Sequence, residues 1–271
     1  MKKQPLPDYE KPPVTEVVIG IQFNNLEKFG PVHAGLYWQR IRKKYPKFEA
    51  RPPLGFVKES FGVKKETMQE SRIEITQFPV PRTWFLKDDE SRLVQLQSTH
   101  FFHNWKKVKR EDIYPRYDVI KEEYKKLWEG FLVFVNEQNL GEVKPNIWEL
   151  TYVNHIPQGQ GWNSLKDIAK LFPCWSGATS ENYLPEPENL ALSVSYLFPE
   201  EKGRLHIKLD QVIRIDDNSE GLRLNLTARG KLDNSDINQI LPCFEKGHEW
   251  IVRGFTDFTS QEAHNIWGRK E

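Results

Sequence analysis

Leu205-His206-Ile207-Lys208-Leu209-Asp210 and, after a polar turn, Leu222-Arg223-Leu224-Asn225-Leu226-Thr227-Ala228-Arg229 alternate apolar and polar residues without a break. Successive side chains of a strand point to opposite faces, so a period of two sorts Leu, Ile and Ala onto one face and His, Lys, Asp, Arg, Asn and Thr onto the other. Just upstream, Leu190, Leu192, Val194, Tyr196 and Phe198 repeat the pattern. Glu200-Glu201-Lys202-Gly203 and Asp216-Asp217-Asn218-Ser219-Glu220-Gly221 separate the three runs and carry the Gly, Asn and Asp that tight reversals need. Three strands joined this way form an antiparallel meander with one apolar face, and that face has to be covered.

The cover follows in the chain. From Ser235 onward Ile237, Ile240, Phe244, Ile251 and Phe255 recur at helical spacing, with Pro242 dividing the helix or opening its main body. Thr259 with Glu262 spells a capping box for a last short helix ending near Gly268. Ahead of the meander, Trp148, Leu150 and Tyr152 alternate with Glu149 and Thr151 in another strand. Residues 164–172 read as a short helix capped by Ser164 and ended by Pro173, and a loop rich in Pro, Glu and Asn fills 174–189.

The first half spells the same order. Val17, Ile19, Ile21 and Phe23 alternate with Glu16, Val18, Gly20 and Gln22; residues 31–45 form a short helix with Leu36, Ile41 and Tyr45 on one side. Strands are expected at 55–69, at 72–86 with a break at Pro79 and Pro81, and at 92–104, with Lys87-Asp88-Asp89-Glu90 as a hairpin tip. Over 116–138, Tyr117, Ile120, Tyr124, Leu127, Phe131 and Phe134 follow at spacings of 3, 4, 3, 4 and 3, a single apolar stripe that Asn139 and Gly141 end. The pattern predicts an α+β protein. Pseudo-duplicated β-α-β-β-β-α units, 15–142 and 143–271, build one compact, curved antiparallel sheet with two long helices on one face, preceded by a proline-rich surface arm at 1–14. The duplication is one of pattern, not of residue identity. In shape the layout resembles the saddle of the TATA-box-binding protein or the helix-grip folds.

Composition removes several classes. No stretch of the 271 residues approaches the roughly 18 apolar positions of a membrane span. Met1-Lys2-Lys3 is followed by prolines and acids instead of an apolar segment, and Cys174 and Cys243 make neither a disulfide framework nor a zinc pattern, so a cytoplasmic protein without a membrane partner is expected. With 39 Lys+Arg against 38 Asp+Glu, bulk electrostatics do not drive binding to nucleic acid. No catalytic constellation and no cofactor motif stands out. His100, His103 and His155 lack acidic or Cys partners at metal-ligand spacing, and Gly159-Gln160-Gly161 lacks the rest of a phosphate loop.

What remains is surface. The face turned away from the helices carries His206, Lys208, Asp210, Arg214, Arg223, Asn225, Thr227 and Arg229 in the second half, and Gln22, Gln95 and Gln97 in the first. It reads either as an ordinary solvated face or as a concave surface for a polymer or polar ligand. Lys106, Lys107, Lys109 and Arg110 form the densest basic run, where phosphates could be met while Trp105 stacks on a base; a solvated loop explains the run equally well.

Pro12-Pro13-Val14-Thr15-Glu16-Val17-Val18, Val94-Gln95-Leu96-Gln97 leading into Asn104-Trp105-Lys106, Glu149-Leu150-Thr151-Tyr152-Val153-Asn154, and His248-Glu249-Trp250-Ile251-Val252 through Phe255 to Trp267-Gly268 are spread over nearly the whole chain. In these segments the sequence resembles an uncharacterised, sporadically distributed prokaryotic protein family. The resemblance implies a self-contained protein without a settled activity, compatible with mobile or antiviral-defence genes, and maps the family's shared polar positions onto Gln95, Gln97, Asn104, Trp105 and Asn154. Asn104 and Asn154 also read as cap or turn residues. The expectation is a non-enzymatic binding protein with a protein partner or a second copy of itself. Nucleic-acid binding through the basic run with Arg223 and Arg229, or an enzyme with a pocket between sheet and helix, are the alternatives.

Overall fold

The computed structural model describes residues 5–60, 81–175, 187–213 and 219–270. Along them run β1 (Asp8–Tyr9), β2 (Val14–Phe23), α1 (Pro31–Ile41), β3 (Lys47–Arg51), β4 (Arg82–Leu86), β5 (Arg92–Gln97), β6 (His100–Lys106) and α2 (Tyr117–Glu137). There follow β7 (Pro145–Pro157), a 3-10 turn (Leu165–Asp167) leading into α3 (Ile168–Leu171), β8 (Ala191–Leu197), β9 (Arg204–Ile213), β10 (Glu220–Lys231), α4 (Ile237–Phe258), α5 (Gln261–Ile266) and β11 (Arg269–Lys270).

Nine strands form one antiparallel sheet in the order β3-β4-β5-β6-β2-β7-β10-β9-β8, curved but not closed into a barrel. The opening strands of the two halves, β2 and β7, pair at its centre with Ile19 opposite Leu150, so each half closes the other's exposed edge. The α+β layout expected from the pattern is the one observed. Both long helices lie on one face, where Tyr117 of α2 stacks on His248 of α4 at 4.0 Å.

The first half departs in detail. The predicted strand at 92–104 is a hairpin, β5 and β6, whose Gln97 pairs with His100 across Ser98 and Thr99. An edge strand, β3, was not expected, and residues 54–60 are not strand. Residues 61–69 and 72–80 of the other two predicted strands lie outside the described residues, as do 176–186 of the long loop and 214–218 with Arg214. Near the C-terminal end the cap moves by one residue: Ser260 accepts from Ala263 N at the start of α5, while Thr259 closes α4.

Between helices and sheet the core is aromatic. Phe101 stacks on Phe131 at 4.6 Å, and Phe23, Tyr124 and Trp128 are completely buried around them. Tyr37 of α1 inserts between Phe85, Phe101, Phe131 and Phe134. α4 packs against Trp148 of β7 through a glycine at position 247, where a Cβ would lie 2.6 Å from the Trp148 ring. The arm is more than a surface tail, for β1 pairs with β11 and buries Tyr9 against Phe255, its hydroxyl 2.9 Å from Thr256 Oγ1.

Candidate functional site

The face opposite the helices is polar where the alternation requires it, and its side chains are joined to one another. Arg82 Nη1 and Trp84 Nε1 of β4 donate to Gln95 Oε1 at 2.8 and 3.1 Å. Gln95 Nε2 donates to Asn104 Oδ1 at 2.7 Å, and Asn104 Nδ2 donates to Glu16 Oε1 at 2.6 Å. One directed chain of hydrogen bonds thus crosses four adjacent strands and ends on a carboxylate whose pKa burial raises. In the second half, Arg229 Nε donates to Glu149 Oε2 at 2.6 Å and the Thr151 and Thr227 hydroxyls meet at 2.8 Å. Arg223 reaches Asp210 at 3.5 Å, and the buried Oδ1 of Asn225 has no hydrogen-bond partner among the described residues.

The chain itself crosses this face. After β3, residues 54–60 run over one end of the sheet as a strap. Leu54 N donates to Gln97 Oε1 at 2.9 Å, and Gln97 Nε2 returns a bond to Leu54 O at 3.2 Å. Val57 N donates to Gln22 Oε1 at 2.7 Å, and Gln22 Nε2 returns one to Val57 O at 2.9 Å. Each glutamine amide therefore does for one residue what a neighbouring strand does, offering an acceptor and a donor side by side. Beyond them the Glu59 carboxylate is held by Arg204 and by His206 Nε2, the latter at 2.6 Å. Burial by itself would raise this carboxyl, but the His206 hydrogen bond and the neighbouring positive charge outweigh it and hold the pKa below its ordinary value. His100, also on this face, is lowered to about 4 by burial and by the charge of Arg82.

Gln95, Gln97 and Asn104 thus gather on the open face, as do Arg223, Asn225 and Arg229 further along the sheet. Three readings need correction. Trp105 is not a surface stacking platform: it keeps the phase of Phe101 and His103, points to the helix side and is buried against Tyr114. Asn104 is no helix cap but a mid-strand residue of β6, and Asn154 lies within β7, on the helix face, donating to Leu224 O at 3.1 Å. The basic run stays exposed at Lys106, Lys109 and Arg110 with Lys107 half-buried, and Asp112 folds back to accept from Val108 N and Lys109 N at 2.9 and 2.8 Å. Nothing in the residues alone pointed to Glu59, Arg204 and the strap, because those contacts join positions 145 apart in sequence.

On the helix face the rings of Tyr124, Trp128 and Phe131 pack directly on one another and on Phe101, so the space between α2 and the sheet is filled. A cavity of about 230 Å³ lies instead beneath the arm, among Tyr9, Val14, Asn154, Leu226, His248 and Phe255. A groove of about 350 Å³ runs between α4 and the outer strands, along Tyr196, Ile207, Trp250 and Arg253. Among the described residues no three His, Cys, Asp or Glu side chains stand together as a metal site, and no helix is long and apolar enough to cross a membrane. Cys174 and Cys243 are free thiols whose pKa values burial raises, the opposite of what an activated nucleophile requires. No protein-family model matches the chain, and no curated protein matches its sequence.

Proposed function

We propose that the chain is a non-enzymatic binding protein, one component of a multi-protein assembly, that meets its protein partner through the polar face of the sheet. The observation that carries the reading is the seating of residues 54–60 on that face, where Gln97 and Gln22 each bind both the N–H and the C=O of one backbone residue. A surface that holds polypeptide in this way has the chemistry of strand addition without needing a free sheet edge. Nucleic-acid binding is less favoured, because Trp105 is buried and Arg229 is already paired with Glu149.

The test is co-purification from the native host with three chains: unmodified, Arg223→Glu/Asn225→Ala on the open face, and Lys125→Glu on α2. The reading expects a protein retained by the first and third and lost from the second. Retention by all three, or no protein with a monomer by light scattering, overturns it. So does recovery of nucleic acid for which the logarithm of affinity falls linearly with the logarithm of salt.

A further inference from the structure

The strap is gripped at three places in a row. Gln97 of β5 holds residue 54, Gln22 of β2 holds residue 57, and Arg204 with His206 of β9 holds the carboxylate of residue 59. From β5 to β9 is five strand spacings, about 24 Å, whereas five residues of chain reach at most about 18 Å. The strap can bridge the face only by running extended, with the long side chains of Gln97, Glu59 and Arg204 spanning the remainder.

The first two grips read nothing but backbone. Their bonds go to N–H and C=O groups, and Phe56, the one side chain between them, is 52% exposed. The third grip reads a side chain. Glu59 is only 8% exposed; His206 Nε2 meets Oε1 at 2.6 Å, Arg204 Nη1 meets Oε2, and Arg204 Nη2 donates to Ser60 O at 3.0 Å. Ser195 Oγ lies 3.0 Å from His206 Nδ1 and steadies the ring, and because a carboxylate only accepts, it is Nε2–H that meets Glu59. Such a row makes two demands: an extended backbone over six residues and one carboxylate near its end.

Resting on the reading of this face as the protein-binding surface, we infer that residues 54–59 are an internal stand-in for the partner. The partner's contact segment is an extended peptide that carries an acidic side chain five residues after its first gripped position and displaces the strap when it docks. The exchange conserves every grip, since backbone N–H and C=O groups are common to all sequences and only the carboxylate must be supplied.

A fluorescein-labelled peptide of residues 52–60 is titrated by fluorescence polarisation into two full-length chains, the unmodified one and a Leu54→Pro/Val57→Pro/Glu59→Gln variant that lacks both strap N–H donors and the carboxylate. The peptide is expected to bind the variant at least tenfold more tightly than the unmodified chain, in which the strap competes. The same peptide with Glu59→Gln should bind the variant at least tenfold more weakly, as loss of a charge-assisted bond requires. Equal binding of the two peptides overturns the carboxylate requirement, and absence of binding to a folded variant overturns the exchange. Should the triple variant not fold, hydrogen exchange on Arg204→Ala decides: strap amides that exchange tenfold faster over an unchanged sheet support the inference, and unchanged strap amides overturn it. The partner co-purification is read with the whole partner and with residues outside the grips, so its failure is a separate result.

Discussion

Gln95 stands at the middle of the hydrogen-bond chain on the open face, with two donors behind it and Asn104 in front. Replacing it by alanine leaves the Arg82 and Trp84 donors and the Asn104 acceptor without partners on a largely buried surface. The expected cost is about 2 kcal/mol, the usual penalty for an unsatisfied buried polar group, read as a lower urea midpoint at unchanged slope. Gly20 is a sharper case. Phe102 lies across it from the next strand, and a Cβ at position 20 would stand 1.7 Å from that ring's Cδ1. At this scale the alternation was informative to the extent that its phase was followed. It placed Gln22, Gln95 and Gln97 on the open face, and the same count puts Trp105 with Phe101 and Asn154 with Leu150 on the other side, where the structure has them. Counting residues carries no information about Glu59, because its position depends on where a non-strand segment crosses the sheet.

Each long helix is a stripe laid on a sheet, and α2 is also pinned by charge. Glu123 accepts from Arg92 Nε at 2.7 Å, and His103 Nε2 lies 3.0 Å from the same oxygen, with His103 Nδ1 3.1 Å from Leu93 O. Burial would raise the Glu123 carboxyl, but these two hydrogen bonds outweigh it and hold it at about 2. Glu123→Gln keeps the shape and removes the charge that buried Arg92 faces, so the fold is expected to lose about 2 kcal/mol, as when a buried charged group loses a half-buried partner. A double-mutant cycle with Arg92→Met checks this, because the coupling should account for most of the loss. The helices were readable from their stripes. β3 was not: Lys47-Phe48-Glu49-Ala50-Arg51 is a charged edge strand, largely exposed, with no core-facing run to mark it. The β5–β6 hairpin reads as one strand in the sequence because Ser98 and Thr99 turn the chain without glycine or proline, leaving no break in the pattern.

For the whole molecule, buried histidines set the response to acid. Burial lowers His100 and His248 to about 4 from an ordinary value near 6.5. Well above pH 6.5 both rings are neutral whether the chain is folded or not, and they leave stability unaffected. As the pH falls below 6.5 the unfolded chain takes up protons that the folded one refuses, so stability declines by up to about 1.4 kcal/mol per pH unit for each ring. The decline ends near pH 4, where the folded rings also charge. Urea midpoints at pH 7.5, 6 and 5 should fall in that order, and His248→Phe, which preserves the stack on Tyr117, should make the slope shallower without abolishing it, because burial also holds down His100, His103 and His264. Among the described residues the two halves pair strand to strand through β2 and β7, and the molecule is also fastened where β1 meets β11. In the β1–β11 ribbon Asp8 pairs with Lys270 and Tyr9 with Arg269. Tension applied between residues 8 and 270 therefore opens one residue pair at a time, like a zipper, before any load reaches the nine-stranded sheet. Dyes attached at those two positions would report that first yielding as a loss of energy transfer while the core remains intact.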